Sequence, residues 1–131
     1  MPNFDLVLRN CNLINENSIS EVDIAIKDKR IEKISSTISE KANKEIDVNG
    51  KNVAPGVIDD QVHFREPGLT KKGEIKTESL AALYGGITST MDMPNVSPAS
   101  TTLDLLEERF QLAKEKSWTN YSFYLGATPD N

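Results

Sequence analysis

The chain has 131 residues, the length of one ordinary domain, with 37% hydrophobic and 27% charged residues. This composition supports a buried core and excludes a disordered or collagen-like chain. Against 20 acidic residues stand 15 Lys and Arg, for a net charge of −5, and the basic residues form no stripe, so we expect no nucleic-acid partner. Because no leader-like or long apolar segment occurs, we expect neither secretion nor membrane insertion.

Residues 4–53 alternate apolar and polar side chains, which predicts short β-strands. Phe4, Leu6 and Leu8 form the first apolar series, opposite Asp5, Val7 and Arg9. Polar residues 27–30 predict a turn, and charged residues 41–45 suggest a solvated loop. Asn49-Gly50 predicts a hairpin, because both residues tolerate positive φ. We expect a small antiparallel sheet. The single Cys11 is expected to be a small buried strand residue in a reducing compartment.

After Pro55-Gly56 the periodicity changes from strands alone to alternating strands and helices. Strands are predicted from residue 57 onward, at 87–93 and at 120–126. A helix is predicted at 74–84, ended by Gly85-Gly86, and a second at 102–116, capped by Thr101 or Thr102. This order predicts parallel βαβ units with right-handed crossovers.

The densest group of reactive side chains follows the first of these strands. Asp59, Gln61 and His63 are two residues apart and are expected to share a face, as is Arg65 if the strand continues that far. The carboxyl ends of parallel strands form the ligand-binding rim, where His63 suits Zn²⁺ and Arg65 suits a carboxylate. The alternatives are a hydrogen-bonded structural histidine and a surface arginine.

Asn95 follows the second strand, after Pro94 has stopped the ladder, and is expected at the same rim. Its amide can donate to a substrate oxygen, although an ordinary turn residue beside proline is the simpler interpretation. A zinc site needs three or four protein ligands, whereas His63 is the only histidine. The residues alone therefore do not establish a complete metal site.

Three segments together resemble dihydroorotase, a cyclic amidohydrolase of the amidohydrolase superfamily: VIDDQVHFREPG at 57–68, GGITS at 85–89 and MDMPN at 91–95. The resemblance implies an α/β protein with a (β/α)₈ TIM barrel. Residues 56–131 would supply only the first three strands and two helices, because a closed barrel needs about 250 residues. Residues 1–55 would be the amino-terminal part of a small β-sandwich domain that precedes the barrel.

The resemblance also implies site residues. His63 matches a zinc histidine, while Arg65 and Asn95 match the residues that bind the substrate. Gln61 stands where the family has its first metal histidine, in a Gln-x-His variant of His-x-His, and a neutral amide is a poorer Zn²⁺ ligand. One or two zinc ions are implied for the complete protein. No catalytic base lies within these residues, so this fragment is expected to be inactive alone.

The implied activity is the reversible cyclisation of N-carbamoyl-L-aspartate to L-dihydroorotate in pyrimidine synthesis. The implied protein is a cytoplasmic hydrolase of cyclic amides that forms a homo-oligomer or associates with other enzymes of the pathway. Two alternatives stay open: another cyclic amidase, such as an allantoinase or hydantoinase, and a noncatalytic dihydroorotase-like partner protein. Arg65 favours dihydroorotase, whose substrate carries a ring carboxylate.

Overall fold

The computed structural model describes residues 2–131, which divide into two compact units between Pro55 and Gly56. The first unit is a five-stranded sheet and the second is built from strands and helices in alternation. Neither helix among the described residues is long and apolar enough to cross a membrane.

The first unit is a mixed sheet with the strand order β3-β2-β1-β4, in which β5 also pairs with β1. Its strands are β1 (Phe4–Asn15), β2 (Ser18–Lys27), β3 (Arg30–Ser35), β4 (Ala42–Asp47) and β5 (Asn52–Val53). Strands β1, β2 and β3 are antiparallel, as predicted, and are joined by two-residue turns with positive φ at Glu16-Asn17 and Asp28-Lys29.

The prediction of a wholly antiparallel sheet is wrong for β4 and β5, which both run parallel to β1. Asn49 and Gly50 do have positive φ, but they connect β4 to β5, and both of these strands pair in parallel with β1. The Gly50 N–H donates to the Asn10 carbonyl oxygen, beside a bulge in β1. Asn49-Gly50 therefore shifts the chain past this bulge and forms no hairpin. Residues 41–45, expected in a loop, lie largely in β4 because β1 offers them a partner edge.

The core of the first unit contains Phe4, Val7, Ala25 and Ile38. Val7 is 0% exposed although the simple alternation placed it opposite Phe4. Leu8 and its strand neighbours Ile24, Ile34 and Ile46 form an apolar row across the sheet, in which Ile24 is buried and the other three are partly or largely exposed. Both faces of this sheet therefore carry apolar side chains, which a period-two pattern with one buried face does not anticipate.

Asp23 of β2 stabilises the bulge in β1. The bulge lies between Leu8 and Cys11, where the register shifts by one residue. The Asp23 carboxylate accepts hydrogen bonds from the backbone N–H of Asn10 at 3.1 Å, from the N–H of Ile38 at 3.1 Å and from the Arg9 guanidinium at 2.8 Å. One buried side chain thus accepts three hydrogen bonds from two segments of the chain, β1 and the connection between β3 and β4.

The second unit is a parallel sheet in the order β6-β7-β8, with helices as the connections. Its elements are β6 (Val57–Val62), α1 (Ile75–Tyr84), β7 (Ile87–Asp92), α2 (Leu103–Lys116) and β8 (Asn120–Phe123). The predicted helices and strands are confirmed to within a few residues. Helix α1 is followed by Gly85 and by Gly86 at φ +87°, and Thr102 caps α2 by accepting the Leu105 N–H.

The core of the second unit lies between the end of β6, both helices and β8. It contains Val62, Phe64, Ile75, Ala113 and Phe123. The ring of Phe110 meets that of Phe123 edge to face, with the ring centres 5.0 Å apart. Because Val62 and Phe64 belong to this core, the chain that carries His63 is fixed on both sides of that residue.

Candidate active site

His63 and Asn95 meet at the carboxyl ends of β6 and β7. His63 directly follows β6, and its Nδ1 lies 2.9 Å from Oδ1 of Asn95. An amide oxygen only accepts hydrogen bonds, so Nδ1 is the donor, and the neutral form of the exposed imidazole has its lone pair on Nε2. The Nδ2 group of Asn95 stays available as a donor. The two rim residues singled out from separate strands therefore form one polar group.

Gln61 shares its face of the strand with His63, but Asp59 does not. A bulge shifts the register so that Asp59 pairs with Thr90 and Val62 with Asp92. Thr90 and Asp92 lie on one face of β7, so Asp59 falls on the face of Val62. Its Oδ1 accepts the backbone N–H of Gln61 at 3.1 Å, across the bulge. The expectation that all of these alternate residues share one face is thus wrong for Asp59.

Arg65 lies beyond the strand, in a turn. Strand β6 ends at Val62, and Arg65 has φ +67°, in the left-handed region that bulky residues rarely adopt. Its carbonyl oxygen accepts the N–H of Leu69 at 3.1 Å. Arg65 is half-buried, and its guanidinium has no ion-pair partner within residues 2–131. Arg65 therefore presents unpaired donors from a turn and not from an extended strand.

A buried ion pair lies directly beneath this turn. Asp92, at the end of β7, accepts the N–H of Phe64 on Oδ1 at 3.1 Å, and its Oδ2 lies 2.5 Å from the guanidinium of Arg109 on α2. Arg109 is 0% exposed and its guanidinium lies 4.3 Å from the ring centre of Phe123. Burial raises the pKa of the Asp92 carboxyl, and the charge of Arg109 opposes that shift.

Glu66 forms a second buried contact, on the other side of Arg65. It is 6% exposed, and its Oε2 accepts the N–H of Ile75 at 3.0 Å, where α1 begins. Its Oε1 accepts from the ammonium group of Lys116 in the last turn of α2. This hydrogen bond raises the pKa of Lys116. Glu66 therefore ties the turn to both helices.

Sequence reasoning missed the roles of Arg109, Glu66 and Lys116. For Arg109 a signal exists, because it recurs at helical spacing with Leu106 and Ala113, on the apolar stripe of α2. A charged residue on such a stripe needs a buried partner, and Asp92 lies in a strand next to that helix. Glu66 and Lys116 are 50 residues apart, and no local pattern relates them.

The described residues fit part of a metal site. Among residues 2–131 no group of three or more His, Cys, Asp or Glu side chains is arranged to hold a metal ion. His63 has the hydrogen-bonded Nδ1 and the available Nε2 that are typical of an imidazole ligand. It can thus supply one ligand, and the remaining ligands would have to come from other residues.

Comparisons with known proteins agree on the family. The model of the "Dihydro-orotase-like" family matches residues 50–128, the segment that carries His63, Arg65 and Asn95. The chain is 38% identical over 112 residues to a dihydroorotase of Fusobacterium nucleatum, covering 86% of this chain and 26% of the relative. It is 36% identical over 132 residues to an allantoinase of Desulfitobacterium hafniense, covering 100% of this chain and 29% of the relative.

The fold agrees with a solved structure of an L-hydantoinase (dihydropyrimidinase) from Arthrobacter aurescens, with a TM-score of 0.92 and 36% identity. That match covers 96% of this chain and 28% of the hydantoinase. The chain therefore spans less than a third of the length of each of these three proteins. The extent of the family match and the similarity to this amidohydrolase fold lead to one conclusion: the chain belongs to the dihydro-orotase-like family.

Proposed function

We propose that the complete protein is a zinc-dependent dihydroorotase, which reversibly cyclises N-carbamoyl-L-aspartate to L-dihydroorotate. The observation that carries this proposal is the guanidinium of Arg65, which has no ion-pair partner among the described residues. It sits two residues from His63, at the carboxyl end of a parallel strand. A planar fork of donors at this place suits the ring carboxylate that distinguishes dihydroorotate from hydantoins and allantoin.

The three rim side chains divide the work of binding. His63 would provide a metal ligand through Nε2, Arg65 would bind the carboxylate and the Nδ2 group of Asn95 would donate to a ring oxygen. Zinc, when bound, supplies polarisation of the ring carbonyl and a lower pKa for water. No catalytic base is assigned within this chain, and residues beyond this segment would supply it.

The substrate assignment is tested by steady-state kinetics of the complete, zinc-loaded protein. Arg65→Met is expected to raise KM for dihydroorotate about 10- to 150-fold, since a hydrogen bond to a charged group contributes about 1.5–3 kcal/mol. Lys71→Met, an exposed cation in the same loop, is the matched control and should leave KM unchanged. An unchanged KM in Arg65→Met would refute the substrate assignment.

The metal assignment is tested by elemental analysis of the same protein. His63→Ala should lower bound zinc, whereas Gln61→His should raise the zinc content, because imidazole is a better ligand than an amide oxygen. Lys71→Met should retain the wild-type content. Equal zinc in the wild type and His63→Ala would contradict the role of His63.

A second candidate is another cyclic amidase. It is favoured by the TM-score of 0.92 to the L-hydantoinase structure and by the allantoinase at 36% identity. A panel of dihydroorotate, allantoin, a 5-substituted hydantoin and dihydrouracil separates these activities. Turnover of a hydantoin or allantoin without turnover of dihydroorotate would decide for this candidate.

A noncatalytic dihydroorotase-like partner protein is the third candidate, suggested by Gln61 in place of the first metal histidine. It would bind no zinc, turn over none of the panel and form a stable complex with another pyrimidine-pathway enzyme. We propose a cytoplasmic location and either a homo-oligomer or such a complex for the active enzyme as well. Zinc content and turnover therefore distinguish an active enzyme from a noncatalytic partner protein, whereas complex formation alone does not.

We also propose how the two units contribute to the complete protein. Residues 1–55 would form the amino-terminal part of a small β-sandwich, because Leu8, Ile34 and Ile46 lie in one apolar row, are partly or largely exposed and would pack against a second layer. Residues 56–131 would form the first three strands and two helices of a TIM barrel, because β6, β7 and β8 are parallel and joined by helices.

A further inference from the structure

The turn after β6 alternates between side chains that face solvent and side chains that are buried. His63 is exposed and Arg65 is half-buried, whereas Phe64 and Glu66 are buried, at 8% and 6% exposure. The residues assigned to metal and substrate are thus separated by residues that anchor the chain. What holds Phe64 and Glu66 consequently determines where His63 and Arg65 point.

Arg109 of α2 is connected to the turn through Asp92. The N–H of Phe64, between His63 and Arg65, donates to Oδ1 of Asp92 at 3.1 Å. The other carboxylate oxygen of Asp92 is held by Arg109 at 2.5 Å, and Arg109 also donates to Oγ of Ser100 at 3.3 Å. Arg109 therefore acts on the turn through one intermediate side chain.

Lys116 of α2 contacts the turn directly, at Glu66. The ammonium group of Lys116 donates to Oε1 of Glu66, whose other oxygen accepts the N–H of Ile75 at 3.0 Å. Lys116 follows Arg109 by seven residues, which is about two turns of the helix, so both cations lie on the same side of α2. The two contacts fall on either side of Arg65, whose own guanidinium has no ion-pair partner among the described residues.

We infer that Arg109 and Lys116 are positioning residues, through which α2 sets the direction of Arg65 and the placement of His63. The inference rests on the proposed function, because it assigns the turn to substrate and metal binding. It extends that function to two side chains that touch neither. The left-handed backbone of Arg65 is the element being held, since a non-glycine residue keeps this conformation only where its surroundings determine it.

The experiment uses the complete, zinc-loaded protein and one helix. Lys116→Met removes the cation from a partly exposed position, Lys116→Arg restores a donor, and Lys114→Met removes an exposed cation from the same last turn as the matched control. Arg109→Met and Arg109→Lys form a second pair at the buried position. For each protein we would measure kcat and KM for dihydroorotate and hydrogen exchange at the amides of Phe64 and Ile75.

Lys116→Met is expected to raise KM tenfold or more with kcat changed less than threefold, because the guanidinium of Arg65, which binds the substrate carboxylate, is displaced. Arg109→Met should lower kcat/KM about 100-fold, the order of effect produced by a misplacement of about 1 Å. Lys116→Arg should recover most of the loss, and Lys114→Met should match the wild type. The Ile75 amide in Lys116→Met and the Phe64 amide in Arg109→Met should exchange at least tenfold faster.

Two results would overturn the inference. Faster exchange with unchanged KM would make the contacts of α2 structural only, and unchanged exchange would mean that α2 does not hold the turn. If Arg109→Met does not fold, the Lys116 series decides by itself. If the wild type turns over none of the cyclic amides, the proposed function has failed, and hydrogen exchange alone decides whether α2 holds the turn.

Discussion

Replacement of Asp23 by Ala tests the account of the first sheet most directly. Asp23 is 7% exposed, and its carboxylate accepts hydrogen bonds from Arg9 and from the backbone N–H groups of Asn10 and Ile38. These three donors belong to β1 and to the segment between β3 and β4. Loss of their shared acceptor should therefore loosen both the bulge in β1 and the chain around Ile38.

The magnitude follows from the burial of each donor. The N–H of Ile38 lies in the core, where an unsatisfied donor costs about 1–3 kcal/mol. Arg9 is half-buried and keeps Glu45 as a partner at 3.1 Å, so its loss is about 1 kcal/mol, and the exposed Asn10 can turn to water. The total is about 2–4 kcal/mol, which corresponds to about a 30- to 700-fold change in an opening equilibrium.

Native-state hydrogen exchange of β1 and β2 in the complete protein measures this opening. Amides of Val7 and Ala25, both 0% exposed, should exchange about 30- to 700-fold faster in Asp23→Ala. Glu21→Ala is the matched control, because Glu21 is an exposed carboxylate on the same strand. A change of less than threefold in Asp23→Ala would refute the role of Asp23 in holding the bulge.

Three further predictions follow from particular residues. Burial tends to raise the pKa of the Asp23 carboxyl, but Arg9 and two backbone N–H groups lower this pKa overall. The ionised carboxylate therefore stabilises the folded protein above the unfolded pKa of about 3.9, and this stabilisation is lost as the pH falls through the folded pKa. In urea unfolding the difference between wild type and Asp23→Asn should therefore shrink below about pH 4, and a constant difference to pH 2 would contradict this. Gly68 and Gly86 both have positive φ, but only at Gly68 would a Cβ overlap a backbone carbonyl, that of Ser97. Gly86→Ala should cost about 1–2 kcal/mol and Gly68→Ala clearly more in thermal unfolding, and equal costs would argue against the close approach. Cys11 is buried and its thiol pKa is raised by burial, so it should resist alkylation until the protein unfolds, and rapid labelling of the native protein would show that the strand is open.

The second unit was predictable because its local signals agree with its tertiary structure. Gly85-Gly86 ends α1 and Thr102 caps α2, each through a contact within a few residues of the chain. The helical spacing of Leu103, Leu106, Phe110 and Ala113 predicts the buried side of α2, and Leu103 alone departs from it, at 73% exposure. Strand order then follows from the parallel βαβ connection, which leaves few alternatives.

The features that escaped prediction depend on contacts between distant residues or on interruptions of a regular pattern. The parallel direction of β4 arises because the chain crosses from β3 to the free edge of β1 and does not turn back beside β3, and residues 42–47 do not encode this choice. The bulges in β1 and β6 each displace the alternation by one residue, and the bulge in β6 moves Asp59 off the face of His63. The hydrogen bond between His63 and Asn95 joins residues 32 positions apart, and the adjacency of two strand ends predicted their neighbourhood but not that bond.

The alternation in the turn after β6 has a consequence for how this scaffold can change its chemistry. Substitutions at positions 63 and 65 alter exposed or half-exposed groups and leave the buried anchors at 64 and 66 in place. New ligand preferences can therefore arise there without loss of the buried contacts that hold the turn. A library that varies positions 63, 65 and 95 would sample specificity, whereas variation at 64, 66 and 92 would be filtered by folding before any activity is assayed.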